Sequence, residues 1–219
     1  MTSHAPPPQK APTNLRKKPD VIQGGASFAV QAVHTTIRAT GEPLTLHVAS
    51  VKDGRPGAVC AVVLPGHGDG HTPKGTQDLS DRRYLLARHW RVATNEWEWE
   101  FPRGMGESGE TVQQTAAREL KEETALQISE DSISILQIIH ADTGVLRDAI
   151  AVAEIRLDDS QDYLPLEGSK KPNGADWELD NFRWVDVKAF REAINRGEIV
   201  DGITLSAFLI CESAHELMQ

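Results

Sequence analysis

The chain has 219 residues, 39% of them hydrophobic and 25% charged, enough apolar content for one packed domain of ordinary size. Its 32 acids outnumber 23 bases, for a formal net charge of -9, which argues against the basic stripe that a nucleic-acid groove needs. The two cysteines, Cys60 and Cys211, lack C-x-x-C spacing, and the longest apolar run, AVCAVVLP (58–65), is far too short to span a bilayer, so a disulfide framework, a zinc site and a membrane partner are not indicated.

Five prolines fall within the first 19 residues, the first acid is Asp20, and no apolar signal-peptide core follows Met1. Residues 1–25 therefore read as a flexible Pro-rich arm of a cytoplasmic protein whose thiols stay reduced. SFAVQAVHTTIRA (27–39) and PLTLHVASVK (43–52) are β-branched runs joined by Thr40, Gly41 and Glu42, an expected β extension over 26–56. The main domain, 57–219, opens with the strand GAVCAVVLP (57–65). A polar loop follows, in which His67, Asp69 and His71 look like metal ligands but suit a hairpin loop better. RRYLLARHW (82–90) is the next strand. NEWEWEF then alternates strictly, with Trp97, Trp99 and Phe101 on one face and Glu96, Glu98 and Glu100 on the other.

GMGESGETVQQTAARELKEETAL (104–126) reads as a helix from Glu110 onward, with Ser108 or Gly109 as its cap. Strands are expected at 133–141, 147–157 and 182–187, a long polar loop at 158–180, a short helix ending before Gly197, and a last helix over about 203–217. Strands interleaved with few helices indicate an α/β fold on a mixed sheet.

Within the first helix, Glu122 and Glu123 lie three and four residues after Glu119, so the three carboxylates share one face and repel. A hard divalent cation offsets that repulsion well, and Mg²⁺ commonly bridges a few carboxylates to substrate phosphates. The bland alternative is an acidic, solvated helix face. The full pattern decides between them: Gly104, Glu110, Arg118, Glu119, Leu120, Glu122, Glu123 and Leu126 fit G-x5-E-x7-R-E-U-x-E-E-x-G-U, U being aliphatic. This resembles the Nudix hydrolase signature, with one departure, Ala125 where the pattern has glycine.

The resemblance implies an α/β/α sandwich around a mixed sheet, carrying an N-terminal β extension here. It also implies Mg²⁺- or Mn²⁺-dependent hydrolysis of a nucleoside diphosphate linked to another group. By position, Glu119, Glu122 and Glu123 are implied as metal ligands, Glu119 and Glu122 also as catalytic groups, with the peptide oxygen of Arg103 completing the coordination. Glu110 and Arg118 are implied to orient them. Outside the box, the strands at 27–52, the segment RHWRVATNEWEWEFPRG and the tail NRGEIVDGITLSAFLI resemble the ADP-ribose and nucleotide-sugar pyrophosphatase branch, which implies a homodimer. WEFPRG also resembles the nucleotide-cleaning branch, so a nucleoside triphosphate or dinucleoside polyphosphate is an alternative substrate, and a non-catalytic ADP-ribose sensor another reading. The branch places a loop acid after the sheet; Glu178 is the expected base, with Glu167 and Asp180 as alternatives. Arg91 and Arg103 can pair with phosphates, although surface salt bridges are the commoner fate of such residues. Trp97 and Trp99 can stack a base or fill the core. Glu100, next to Pro102, can approach the metal.

Overall fold

The computed structural model describes residues 13–15, 20–24, 28–51, 54–65, 81–157 and 177–217. They fall into two compact units, one running to Gly54 and taking in Asp142–Arg147, the other built from the remainder from Arg55 onward.

In the first unit the axis is β3 (Phe28–Ile37), and β4 (Pro43–Val51) returns antiparallel beside it, with Phe28 opposite Val51 and Thr36 opposite Pro43. Gly41, at φ +74, closes the connection with a 2.8 Å bond from its N–H to the Ile37 carbonyl. The other edge of β3 is taken by β1 (Thr13–Leu15) and β2 (Asp20–Gly24), paired opposite Thr35–Ile37 and Ala29–Ala32. Both lie inside the stretch expected to be a flexible arm, and both begin directly after a proline, Pro12 and Pro19. The backbone of β3 offers hydrogen bonds along that edge, and the segments between prolines can accept them.

The second unit is a mixed sheet ordered β11 (Leu179–Asp186), β6 (Arg83–Arg91), β5 (Gly57–Leu64), β10 (Ile150–Arg156), β9 (Ile133–Ile139). β5 and β10 run parallel; the other neighbours are antiparallel. β5 and β6 pair only at Val63–Tyr84 and Leu64–Arg83 and then diverge. The short strands β7 (Glu96–Glu100) and β8 (Arg103–Met105) fill the gap, β7 on β6 and β8 on β5. Everything the site needs is hung around that divergence.

The burial pattern explains the layers. All eight residues of β5 are buried, as a central strand covered on both faces must be. Ala58, Cys60, Val62 and Leu64 meet α1 (Val112–Thr124) through Ala116 and Leu120. Val59, Ala61 and Val63 meet α2 (Val187–Asn195) and α3 (Gly202–Glu216) through Phe190, Ala193, Ala207 and Phe208. This is the expected α/β/α sandwich. Phe190 stacks on Phe208 at 4.0 Å, and Tyr84 packs edge-on to both rings. α2 and α3 each start at a capping acid: Asp186 accepts from Ala189 N at 2.7 Å and Asp201 from Thr204 N at 2.8 Å. Gly197, at φ +70, follows the end of α2 as its sequence position implied. Glu154 of β10 and His215 of α3, each 2% exposed, are joined at 2.5 Å, and Arg156 bonds the other Glu154 oxygen. Cys60 and Cys211 are free and buried. Among the described residues no helix is long and apolar enough to cross a membrane.

Candidate active site

The helix α1 starts later than its sequence suggested. Thr111 caps it, accepting from Gln114 N at 3.2 Å, while the Gln114 side chain accepts from Thr111 N at 3.0 Å. Ser108 and Gly109 stay outside this capping box. Glu110 is held outside the helix by other partners: its carboxylate accepts from Glu107 N at 2.8 Å and from the Thr115 hydroxyl at 3.0 Å.

Arg118 answers the crowding of acids. Its guanidinium takes both oxygens of Glu110, at 2.7 and 3.0 Å, the Met105 carbonyl at 2.9 Å, Glu119 at 2.8 Å and Glu122 at 3.3 Å. The Arg118 bond holds the Glu110 carboxyl down to about 2, against a smaller opposing effect of burial. Residual repulsion among three carboxylates at helical spacing costs roughly a few tenths of a kcal/mol per pair. Full burial of a leucine such as Leu120 contributes roughly 1.5–3 kcal/mol. Packing therefore decides that the helix stays, and the acids are tolerated at its surface.

The three carboxylates then differ in surroundings. Glu119 lies against the backbone of Gly104, where any Cβ would overlap its carboxylate, so the first position of the box must be glycine. Burial raises the Glu119 pKa; Arg118 opposes this, while Glu123 and Glu122 add to it. Glu123 meets His89 of β6, 3% exposed, at 3.1 Å from Nε2 to Oε1. Its other oxygen is buried with no hydrogen-bond partner, as is His89 Nδ1. A carboxylate only accepts, so Nε2 donates this bond. The Glu122 side chain is 59% exposed and pairs with Arg118. The helix ends at Ala125, which adopts the left-handed conformation, φ 63 and ψ 4, that glycine takes without strain.

The sheet supplies the facing wall. On β7, Glu98 stands opposite His89 and Glu96 opposite Arg91, so the glutamates share the face that looks toward α1. Glu100, 1% exposed, accepts from Arg91 Nε and Nη2 at 2.7 and 2.5 Å and from Arg103 Nε at 2.9 Å. Burial alone would raise its pKa, but the Arg91 bonds and the two guanidinium charges win and lower it. Glu178, just before β11, accepts from Trp90 N through its carbonyl at 2.7 Å, and its carboxylate stands 3.8 Å from Arg91 Nη1. Asp180 pairs instead with Arg88 at 3.5 Å.

Trp97 and Trp99 point the other way. They share the opposite face of the sheet with Trp90, Arg88 and Arg183; the Arg183 guanidinium lies 4.2 Å from the Trp99 ring and that of Arg88 5.6 Å from Trp97. That face belongs to the α2–α3 layer, so the structure does not bring the two indoles to the carboxylates: Trp99 is partly buried against the core of that layer, and Trp97 is 38% exposed. Glu167, His67, Asp69 and His71 lie outside the described residues.

His89 had no motif to announce it. Strand alternation was the available signal, since a histidine in phase with Leu85 and Ala87 must face α1 and needs a polar partner there. Among the described residues no three of His, Cys, Asp and Glu already converge as a chelate. The donor set nevertheless fits a hard cation: oxygen ligands, an unpartnered buried Glu123 oxygen, and Glu119 seated beside the glycine that follows Arg103.

A family model described as NUDIX domain matches residues 77–203. A solved structure described as the crystal structure of ADP compounds hydrolase is similar over 92% of this chain and 96% of that chain, at TM-score 0.59 and 15% identity, a likeness of fold. No curated protein matches the chain in sequence.

Proposed function

The chain belongs to the Nudix hydrolase family, and from that premise we propose that it hydrolyses the pyrophosphate bond of ADP-ribose or a closely related nucleotide sugar, with Mg²⁺ or Mn²⁺ as cofactor. The family acts on nucleoside diphosphate derivatives and uses divalent metal ions. Glu119, Glu122, Glu123 and the peptide oxygen of Arg103 are the groups that would hold the ion here. When bound, such an ion neutralises phosphate oxygens and lowers the pKa of a water.

The chain's own residues do the rest. Arg118, anchored on Glu110, bonds Glu119 and Glu122 and so orients these box carboxylates, and His89 orients Glu123. Arg91 and Arg103 present guanidinium edges to the diphosphate. Glu178, beside Arg91, takes the proton from the attacking water. The solvent-facing part of Glu178, 32% exposed, leaves room for that exchange.

The observation that carries this reading is the placement of two arginines, held on one buried glutamate, two residues beyond His89, which bonds Glu123, and next to Gly104, against which Glu119 lies. Two cations suit a diphosphate and leave a triphosphate undercompensated. In competition assays with Mg²⁺, kcat/KM for ADP-ribose or a close nucleotide sugar is expected to exceed that for any nucleoside triphosphate by at least about tenfold, roughly 1.4 kcal/mol at the transition state. A triphosphate ranked first overturns the substrate reading; binding of ADP-ribose without release of phosphate monoester favours a sensor.

A further inference from the structure

Glu100 has 1% of its surface exposed, an expensive place for a carboxylate unless it is fully paired. Its pairing is lopsided. One acid serves two guanidiniums: Arg91 grips it side-on through Nε and Nη2, and Arg103 reaches Oε2 through Nε at 2.9 Å. The remaining acids stand farther off, Glu178 at 3.8 Å from Arg91 Nη1 and Asp201 at 3.6 Å from Arg103 Nη2. The acid is sealed in and the arginines are a quarter exposed, the reverse of an ion pair that closes on itself at a surface.

The backbone fixes this arrangement at both ends. Phe101 N, in the peptide after Glu100, donates to the buried Thr204 hydroxyl of α3 at 3.1 Å. Cys60 N of β5 donates to the Pro102 carbonyl at 2.8 Å, just before Arg103. Arg103 immediately precedes Gly104, against which Glu119 packs, and Arg91 lies two residues beyond His89, which holds Glu123. The two arginines thus flank the box acids, each gripping the buried Glu100 closely while keeping a part-exposed guanidinium edge on which only the looser contacts to Glu178 and Asp201 fall.

We infer that Glu100 is a positioning residue, which sets Arg91 and Arg103 at a fixed spacing as the two arms of a clamp for the adjacent phosphoryl groups of a nucleoside diphosphate. This rests on the functional reading above. It assigns Glu100 to the arginines and not to the metal. The clamp is built before substrate arrives, so its benefit appears in binding.

The test uses the full chain and three readouts: ADP binding by calorimetry in EDTA, Mn²⁺ binding without nucleotide, and KM and kcat for ADP-ribose. E100Q is expected to weaken ADP binding and raise KM by about tenfold, with kcat within about threefold and Mn²⁺ affinity unchanged. E100D keeps the charge but draws the arms back by one methylene, and should fall between wild type and E100Q. R91A and R103A should each weaken ADP binding at least as much as E100Q. Unchanged ADP binding in E100Q, where R91A and R103A are impaired, overturns the positioning role; weakened Mn²⁺ binding in E100Q overturns it by making Glu100 a metal ligand. Full ADP binding in R91A and R103A overturns the clamp itself. If E100Q fails to fold by circular dichroism, the same readouts on E100D decide in the same directions. Failure of the wild-type chain to turn over ADP-ribose counts against the parent reading alone, because ADP binding is measured separately.

Discussion

Glu123 has one oxygen on His89 and the other buried without a partner, so the two atoms report different things. Glu123→Gln keeps the shape and the His89 contact while removing the charge. In the folded variant kcat is expected to fall by roughly 10²–10³, the worth of a single transition-state interaction; near-normal turnover would remove Glu123 from the metal set. His89→Ala should leave Glu123 charged but poorly oriented, so that Mn²⁺ binding weakens by about tenfold or more, as loss of a partner that orients a ligand does. A variant that binds Mn²⁺ like the wild type would make the His89 contact incidental. The box acids were legible in the sequence because helical spacing alone puts Glu119, Glu122 and Glu123 together. His89 was not, since it lies 34 residues away and only the register of β6 against α1 brings it in. Ala125 was half legible: the departure from glycine was visible, but not that the backbone would keep φ 63 regardless. Ala125→Gly should then stabilise the protein by roughly 0.5–1 kcal/mol, relief of left-handed strain less the added freedom of the unfolded chain. Thermal unfolding measures it, and a lowered midpoint would contradict it.

At the scale of elements, the buried Glu154–His215 contact joins β10 to α3 inside the layer that carries α2 and α3. Burial alone would raise the Glu154 carboxyl, but its bonds to His215 and Arg156 prevail and hold it below the ordinary carboxylate range. A carboxyl lowered in the folded state contributes stability above its unfolded pKa, near 4.5, and loses it as pH falls through the lower folded value. Stability is therefore expected to decline on the acid side, below about pH 4.5, and Glu154→Gln should flatten that part of a denaturation-versus-pH curve. An unaltered acid limb would show that the pair has no such role. The longer strands and the helices were legible element by element, because each has its own period and its own terminating residues; the short β1, β2 and β8 were not. The two faces of β7 were legible as faces, but not which one the core would claim. Alternation sorted Trp from Glu; the arginines at 91 and 103 then made the glutamate side the one that could be buried, leaving the indoles under Arg88 and Arg183.

For the whole molecule, we propose a homodimer in which residues 27–52 help cover the partner's site. The observation behind it is the large apolar side chains that β3 and β4 leave open, Phe28 at 49% and Leu46 at 48% exposed. Light scattering at micromolar concentration should give twice the 24.0 kDa chain mass; a monomer would rule the arrangement out. The fold class and family were legible because the box fixes a loop–helix unit that a mixed sheet must support. The extent of the N-terminal unit was not, since prolines suggested an arm where β1 and β2 in fact pair with β3. Composition describes what a segment can do alone, and these strands form only against a ready edge.

That edge has a further consequence, for the handling of the protein. β3 is ten residues long and carries β4 on one side and β1 and β2 on the other. Proteolysis or truncation at residue 25 would strip one side and leave a long, β-branched, weakly charged edge ready to pair with any other chain. The shortened protein should therefore self-associate into polydisperse aggregates on standing, and a lysine placed at Gln31 should suppress them. A trimmed chain that stays monodisperse through a concentration series would show that β1 and β2 are not what keeps the edge closed.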